Sequence, residues 1–371
     1  MKIVIDLTSL SDNFSGIERF ALCITKELVS NVKTKDVEFI LVFKNKIHYE
    51  FENQLKNVKK IIFYGGNKLI FNQVILPIKL MKIRADYYLF PAFPAPFFFF
   101  NKNSISAIHD LGCWDCSSTN KWYMTWYFKI LYRKAARNNK RIITVSNFSK
   151  KRIMDILKVR QENILVVNNG MTDIFIKYKK NGYQDNVVKK YNLPSKYILC
   201  LSTLEPRKNL KLLISVYREL IINKDIDINL VLAGRKGWLV DHLLEGIEES
   251  VIDRITFTGF IDDNDLPYVY ENAKLFVFPS IYEGFGIPPL EAMYMKTLVV
   301  ASDSSSLPEI LQDGAIYFKN CNFDDLKEKI VFALNLTKNE KNVIKERAYC
   351  IAKEYKWNKE ADKIVEWISI K

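Results

Sequence analysis

The run LFVFPSIYEGFGIPPLEAM, residues 275–293, decides the fold. Its opening LFVFP is apolar without polar alternation, the composition of a parallel strand covered on both faces. A loop with Gly284 and Gly286 follows, and Pro288 and Pro289 preset the backbone for a first helical turn. A buried strand passing through a glycine loop into a helix is half of a βαβ unit.

The same alternation recurs outward in both directions. Strand-like runs lie at 2–7, 37–43, 60–63, 86–91, 104–108, 141–146 and 163–168, and again at 197–203, 229–233, 254–258, 297–302 and 315–318. Helical patterns lie at 17–31, 120–139, 210–220, 324–336, 338–353 and 357–370. The expected architecture is α/β, with two doubly wound Rossmann-like domains facing a central cleft. The 371 residues suit two cores. Residues 171–193 show little periodicity, so the expected domains are 1–185 and 186–371, with a last helix (about 355–371) able to pack back on the first.

Net charge is +13, and it is uneven. Residues 1–190 carry 32 Lys and Arg against 15 Asp and Glu, while residues 191–371 carry 23 against 27. A basic half beside a mildly acidic half implies different partners. Hydrophobic residues make up 49% and charged residues 26%, which excludes disordered and fibrous classes. The six cysteines form no disulfide framework: Cys23 and Cys200 read as buried thiols, and Cys113-x-x-Cys116 lacks a second pair or histidine cluster to complete a zinc site. A reducing cytoplasm is expected. The N-terminal MKIVIDLTSL reads as a strand instead of a signal peptide, and the longest apolar run, 89–100, is too short and proline-broken to span a bilayer.

Four places can carry chemistry. In 280–293, a helix N-terminus faces the glycine loop and offers an anion site. Glu283 in the loop and Glu291, placed in the first helical turn, can accept hydrogen bonds from ligand hydroxyls. The competing reading is a tight turn with a capping glutamate. In STLEPRKN, residues 202–209, Arg207 and Lys208 precede a helix capped by Asn209, a pairing suited to a diphosphate; a solvated basic loop is the alternative. His109-Asp110 closes a strand, where the imidazole can donate to a sugar hydroxyl and the carboxylate can orient another. Gly16 stands between a strand and a helix, where most glycines only make the turn. FDDL at 323–326 reads as a helix start and not as a metal motif.

Taken together in this order, these segments resemble the retaining glycosyltransferases of family four, which have the GT-B fold. The resemblance runs through Gly16, IHDL (108–111), ITVSNFSKKRI (143–153), VVNNGM (166–171), LSTLEPRKN (201–209), LVLAGRKGW (230–238), FTGFIDDNDLPYVY (257–270), the E-x7-E block and SSSLPEIL (304–311). Within the family the likeness is greatest to bacterial O-antigen and capsule mannosyltransferases. The resemblance implies transfer of a hexose, mannose from GDP-mannose, to a lipid-linked oligosaccharide. Other UDP- or dTDP-sugar donors, or epimerisation of a nucleotide sugar, are the alternatives, and a basic membrane- or nucleic-acid-binding protein is the non-enzyme alternative. Catalytic positions carried over are His109, Asp110, Glu283, Arg207 and Lys208. Donor-binding positions are Gly16, Ser202, Arg207, Lys208, Phe260, Ile261, Glu283, Gly284, Phe285, Gly286, Ile287 and Glu291. Of these, Glu291 would bind the ribose, Glu283 and His109 the hexose, and Phe260 and Ile261 would lie by the base. No metal or other cofactor is expected. The single Gly16 and the QDGAI run at 312–316 depart from the family's pattern. One-step front-face attack, the leaving phosphate taking the acceptor proton, is the favoured route, and a two-step route through a covalent glycosyl-enzyme is the rival.

The basic half would then meet a polyprenyl-diphosphate acceptor at an anionic membrane, making the protein cytoplasmic and peripheral at the inner face of the cytoplasmic membrane. Residues 120–151 hold Trp122, Tyr123, Trp126 and Tyr127 with nine Lys and Arg and no acid, an interfacial composition, and Phe97–Phe100 offers a second insertion point. A buried amphipathic helix is the competing reading of that segment. Nucleic acid is not an expected partner, since no RRM, KH, helix-turn-helix or finger signature is present.

Overall fold

The computed structural model describes residues 1–11, 16–54, 56–119, 121–138, 141–179, 184–235, 237 and 242–369. The chain divides into two compact units, chiefly Met1–Ser117 with Lys121–Gly170 and the segment from Lys356, and Met171–Tyr355. The division falls at Gly170, at the start of the 170–193 stretch in which the boundary is expected and earlier than 185. Helices Asp173–Ile176 and Gln184–Tyr191 occupy the stretch that reads as aperiodic, and Phe175 is buried with its ring tilted against Tyr270 at 5.9 Å. Four- and eight-residue helices are too short to leave a periodic signal.

The first unit carries a seven-stranded parallel sheet of β1 (Lys2–Asp6), β2 (Glu38–Lys44), β3 (Val58–Phe63), β4 (Tyr87–Phe90), β5 (Ser104–Ala107), β6 (Arg141–Thr144) and β7 (Ile164–Val166), in the order β3-β2-β1-β4-β5-β6-β7. The inner strands β1, β2 and β4 to β6 are largely buried, as in a sheet covered on both faces, while the edge strand β3 carries Lys59 and Lys60 and is mostly half-buried. Helix α1 (Gly16–Ser30) buries Phe20, Leu22, Ile24 and Leu28. Helix α2 (Trp122–Asn138) occupies the described part of the aromatic-basic segment; Asn120, Asn139 and Lys140 lie outside the described residues.

The second unit carries a six-stranded parallel sheet of β8 (Tyr197–Leu201), β9 (Asn229–Ala233), β10 (Ile255–Gly259), β11 (Leu275–Phe278), β12 (Val299–Ser302) and β13 (Ile316–Phe318), in the order β10-β9-β8-β11-β12-β13. Helix α3 (Leu210–Ile222) buries Leu210, Leu213, Ile214, Tyr217 and Leu220, the apolar face apparent in its spacing. Helices α4 (Leu266–Asn272) and α5 (Ile287–Tyr294) flank β11. Asn322 caps the FDDL helix by accepting from Asp325 N–H at 2.9 Å.

The last helix, α6 (Trp357–Ser369), belongs to the first unit. Ala361, Ile364 and Ile368 are buried on its inner face, Trp357 meets Phe20 edge to face at 5.7 Å, and Asn168 N–H donates to Glu360 at 2.8 Å. A Cβ on Gly170 would lie 2.4 Å from Trp357 N, so glycine is needed there for this close approach. No helix among the described residues is long and apolar enough to cross a membrane.

Ile364→Ala should destabilise the first unit by about 2–5 kcal/mol. Hydrogen exchange should accelerate in α1 while β8–β13 keep their protection; equal loss in both sheets would contradict the assignment of α6.

Candidate active site

In the second sheet the strand order turns back between β8 and β11, so the chains leaving their carboxyl ends part to opposite faces and open a crevice. Arg207 and Lys208 arrive there from β8, and residues 280–286 arrive from β11. The two loops are joined: Ile281 N–H donates to Arg207 O at 2.8 Å, and the Arg207 guanidinium donates to Tyr282 O at 2.9 Å.

Four charges meet at this junction. Lys208 Nζ donates to Glu283 Oε1 at 2.5 Å, and Arg207 donates to Glu205 Oε1 through Nε (3.1 Å) and Nη2 (2.9 Å). Arg207 Nη1 also reaches Glu283 Oε2 at 3.4 Å. Lys208, Glu205 and Glu283 are buried. Burial pushes the Glu283 carboxyl up, but the Lys208 and Arg207 charges and hydrogen bonds from Lys208 and Ser280 outweigh it and hold it below the usual carboxylate range. The surrounding hydroxyls complete the junction. Ser280 Oγ donates to Glu283 Oε1 at 2.5 Å, Glu283 N–H donates to Ser305 Oγ at 2.8 Å, and Ser306 Oγ donates to Glu283 O at 3.0 Å.

This arrangement adds partners to the expected residues and alters one expectation, the cap at Asn209. Glu283, carried over as a hexose contact, is held by Lys208 and Ser280 and acts in this structure as the counter-charge that aims the lysine. Arg207 and Lys208, carried over as diphosphate contacts, are part of an ion cluster with Glu205 and Glu283. Asn209, expected to cap α3, has φ 53° and makes no capping bond; its side-chain amide points to Cys321 Sγ at 3.8 Å. Glu205, Ser280, Ser305 and Ser306 were not singled out in the sequence. The acid two residues before Arg207 and the serine run at 304–306 were the available signals.

Gly286 begins α5 with φ 97°, and a Cβ there would lie 2.5 Å from Leu307 Cδ2, so both conformation and space demand glycine. Gly284 and Ile287 flank this turn, and Phe285 is buried with its ring edge-on to Tyr355. Glu291 is the fifth residue of α5, in its second turn and not the first. Its buried carboxylate accepts from Tyr270 Oη at 2.9 Å. Ser202 lies buried just past β8. Past β10, Phe260 is exposed and Ile261 is buried.

His109, Asp110 and Gly16 belong to the first unit. His109 Nε2 lies 3.0 Å from Pro91 O; a carbonyl only accepts, so Nε2 carries the proton and its donor is already engaged. Burial lowers the His109 pKa, against smaller raising effects of Pro91 and Asp110, and keeps the ring neutral. Asp110 Oδ1 accepts from Gly112 N–H at 2.9 Å. Gly16 opens α1, and residues 12–15 before it lie outside the described residues.

Residues 184–356 match the family described as glycosyl transferases group 1. The chain is 29% identical over 258 residues to the O-antigen chain mannosyltransferase B of Escherichia coli, covering 69% of this chain and 67% of that protein. It is 32% identical over 198 residues to the serotype-specific mannosyltransferase WbdA of Escherichia coli, covering 52% of this chain and 24% of that one. The chain thus spans about two thirds of the first relative and about a quarter of the second. A glycosyltransferase from Rickettsia africae has the same two-sheet GT-B fold, with TM-score 0.72, 17% identity and coverage of 99% and 97%.

Lys208→Met should leave Glu283 buried without its nearest cation and destabilise the second unit by about 3–5 kcal/mol, measured by urea unfolding. Because Glu283 has a lowered folded pKa, its stabilisation is present above its ordinary value of 4.5 and is lost as pH falls through the folded value. Acid titration of Glu283→Gln should lack that component of the loss.

Proposed function

As a chain whose residues 184–356 place it among the glycosyl transferases of group 1, this protein, we propose, transfers mannose from GDP-mannose to a polyprenyl-diphosphate-linked oligosaccharide in O-antigen or capsule synthesis. The observation that carries the reading is the Glu205–Arg207–Lys208–Glu283 cluster at the β8–β11 crevice. Cations fixed beforehand in a poorly hydrated site stabilise charge as it develops, without reorganising during the reaction. A diphosphate leaving group gains such charge when its bond to the sugar C1 breaks. Arg207 contributes a fork and Lys208 a point charge, in the role a divalent metal takes in other transferases. The likeness to two mannosyltransferases supports the choice of sugar.

The reaction proceeds with retention. The C1–O bond to the diphosphate breaks through an oxocarbenium-like state, the acceptor hydroxyl attacks the same face, and the departing phosphate oxygen takes its proton. Glu291 with Tyr270 offers acceptors for ribose hydroxyls.

The acceptor side of the reading rests on the first unit's surface. Trp122, Trp126 and Phe100 are 79%, 67% and 68% exposed. Gln73 ties their elements together, its amide nitrogen donating to Tyr127 Oη at 2.6 Å and its oxygen accepting from Phe97 N–H at 2.7 Å. Lys134 Nζ, lowered to about 8 by burial, donates to Pro96 O at 2.9 Å and Phe99 O at 2.6 Å, fixing the phenylalanine loop. Leu69, Ile70 and Val74, near Gln73 in the chain, are exposed as well. Exposed aromatics beside lysines suit an anionic leaflet, where each cation contributes about 1 kcal/mol. The protein would act there as a peripheral cytoplasmic enzyme.

Lys208→Ala and Glu291→Ala should each lower transfer from radiolabelled GDP-mannose at least about 100-fold; normal turnover in both would reject the site. The chain should sediment with phosphatidylglycerol-containing vesicles, less so at high salt and in Trp122→Ser/Trp126→Ser. Equal binding to phosphatidylcholine vesicles, or none to either, would reject the membrane assignment.

A further inference from the structure

The run AGRKG at 233–237 has no role in the cluster just described, yet two of its glycines are demanded by close packing. A Cβ on Gly234 would lie 1.9 Å from Ser202 O, and one on Gly237 would lie 2.3 Å from Leu204 O. These contacts let the loops after β8 and β9 lie side by side. Leu204 N–H donates to Arg235 O and Gly237 N–H to Leu204 O, both at 2.9 Å. One strand further, Gly234 N–H donates to Gly259 O at 2.8 Å, and Gly259 turns with φ 68°. A continuous set of backbone bonds therefore connects the Arg207–Lys208 loop, the β9 loop and the β10 loop.

Arg235 and Phe260 stand at the far end of that set. The guanidinium lies over the Phe260 ring, 4.6 Å from its centroid, and both side chains are exposed. Among the described residues no carboxylate pairs with Arg235, in contrast to Arg207. Adjacent strands lie about 4.8 Å apart, so this platform is one nucleoside's reach from the cations beside β8.

We propose that Arg235, held flat by Phe260, selects guanine as the base of the donor nucleotide. This rests on the reading of the site as one for a nucleotide sugar. Stacking on the ring leaves the N–H edge of the guanidinium as the free edge. A fork of two parallel donors matches two adjacent acceptors. Guanine presents O6 and N7 in that arrangement, adenine presents a donor beside N7, and pyrimidines have no N7. The charge alone would attract any nucleoside diphosphate, so the planar fork, and not the charge, is the selecting feature.

The test is isothermal titration of the full chain with GDP, UDP and ADP, for wild type, Arg235→Lys and Phe260→Leu. Wild type should prefer GDP over UDP by about five- to 150-fold, the range of one bidentate base contact. Arg235→Lys keeps the charge and loses the fork, so GDP affinity should fall toward that of UDP while UDP affinity changes less than about twofold. Phe260→Leu, which removes the support, should lower the GDP preference in the same direction. A GDP preference that survives intact in Arg235→Lys, or an equal loss for all three nucleotides, overturns this inference and leaves the proposed function standing. A wild-type chain that binds GDP no better than UDP overturns the guanine part of both. Absence of nucleotide binding altogether overturns the nucleotide-sugar reading itself.

Discussion

The contact between Lys208 Nζ and Glu283 Oε1 is the constraint on which the second unit's site depends. An ammonium and a carboxylate removed from water are each costly alone, and the geometry is tolerable only because the pair is matched and its remaining valences are filled. Ser280 fills one on Glu283, and Arg207 with Glu205 closes the other side. The loops after β8 and β11 are thereby bound to one another through side chains as well as through the Ile281–Arg207 backbone bond. Two cations end up stationary at the place where the sheet's topology opens a crevice.

Glycines set how closely the loops approach. Gly286 lets α5 begin with a left-handed residue against Leu307, and Gly234 and Gly237 bring the β9 loop onto the β8 loop. A single added methyl at any of the three would push backbone or a packed leucine aside. The sheet supplies position and the glycines supply proximity, so the charged side chains need no long reach.

The first unit solves a different problem with the same architecture. Its strands carry charged residues such as Lys59, Lys60 and Arg141, and α2 and the Phe97–Phe100 loop leave aromatic rings in solvent, with only Phe99 of the four phenylalanines fully buried. Lys134, buried among apolar neighbours, is tolerated because two carbonyls receive its protons. The positive charge counted in the sequence thus includes at least one ammonium that serves the fold, while the exposed cations accompany the exposed rings.

Much of this was legible from residue order. Parallel strands are continuous apolar runs, so all thirteen strands among the described residues could be located, and the face of α3 followed from the spacing of Leu210, Leu213, Tyr217 and Leu220. Arg207, Lys208, Glu283 and Gly286 stood out because their types are informative beside a helix start. The side chains' partners did not follow, since a partner depends on what the fold sets opposite it. Glu283 proved to be a counter-charge to a lysine 75 residues away, and the His109 proton goes to Pro91. The grouping of α6 with the first unit, by contrast, is where the sequence set the last helix, and its buried Ala361, Ile364 and Ile368 supply the contact face. Local chemistry and periodicity determined the elements and the candidate residues; only long-range packing decided which charges meet, because desolvation and pairing act between atoms that sequence distance does not order.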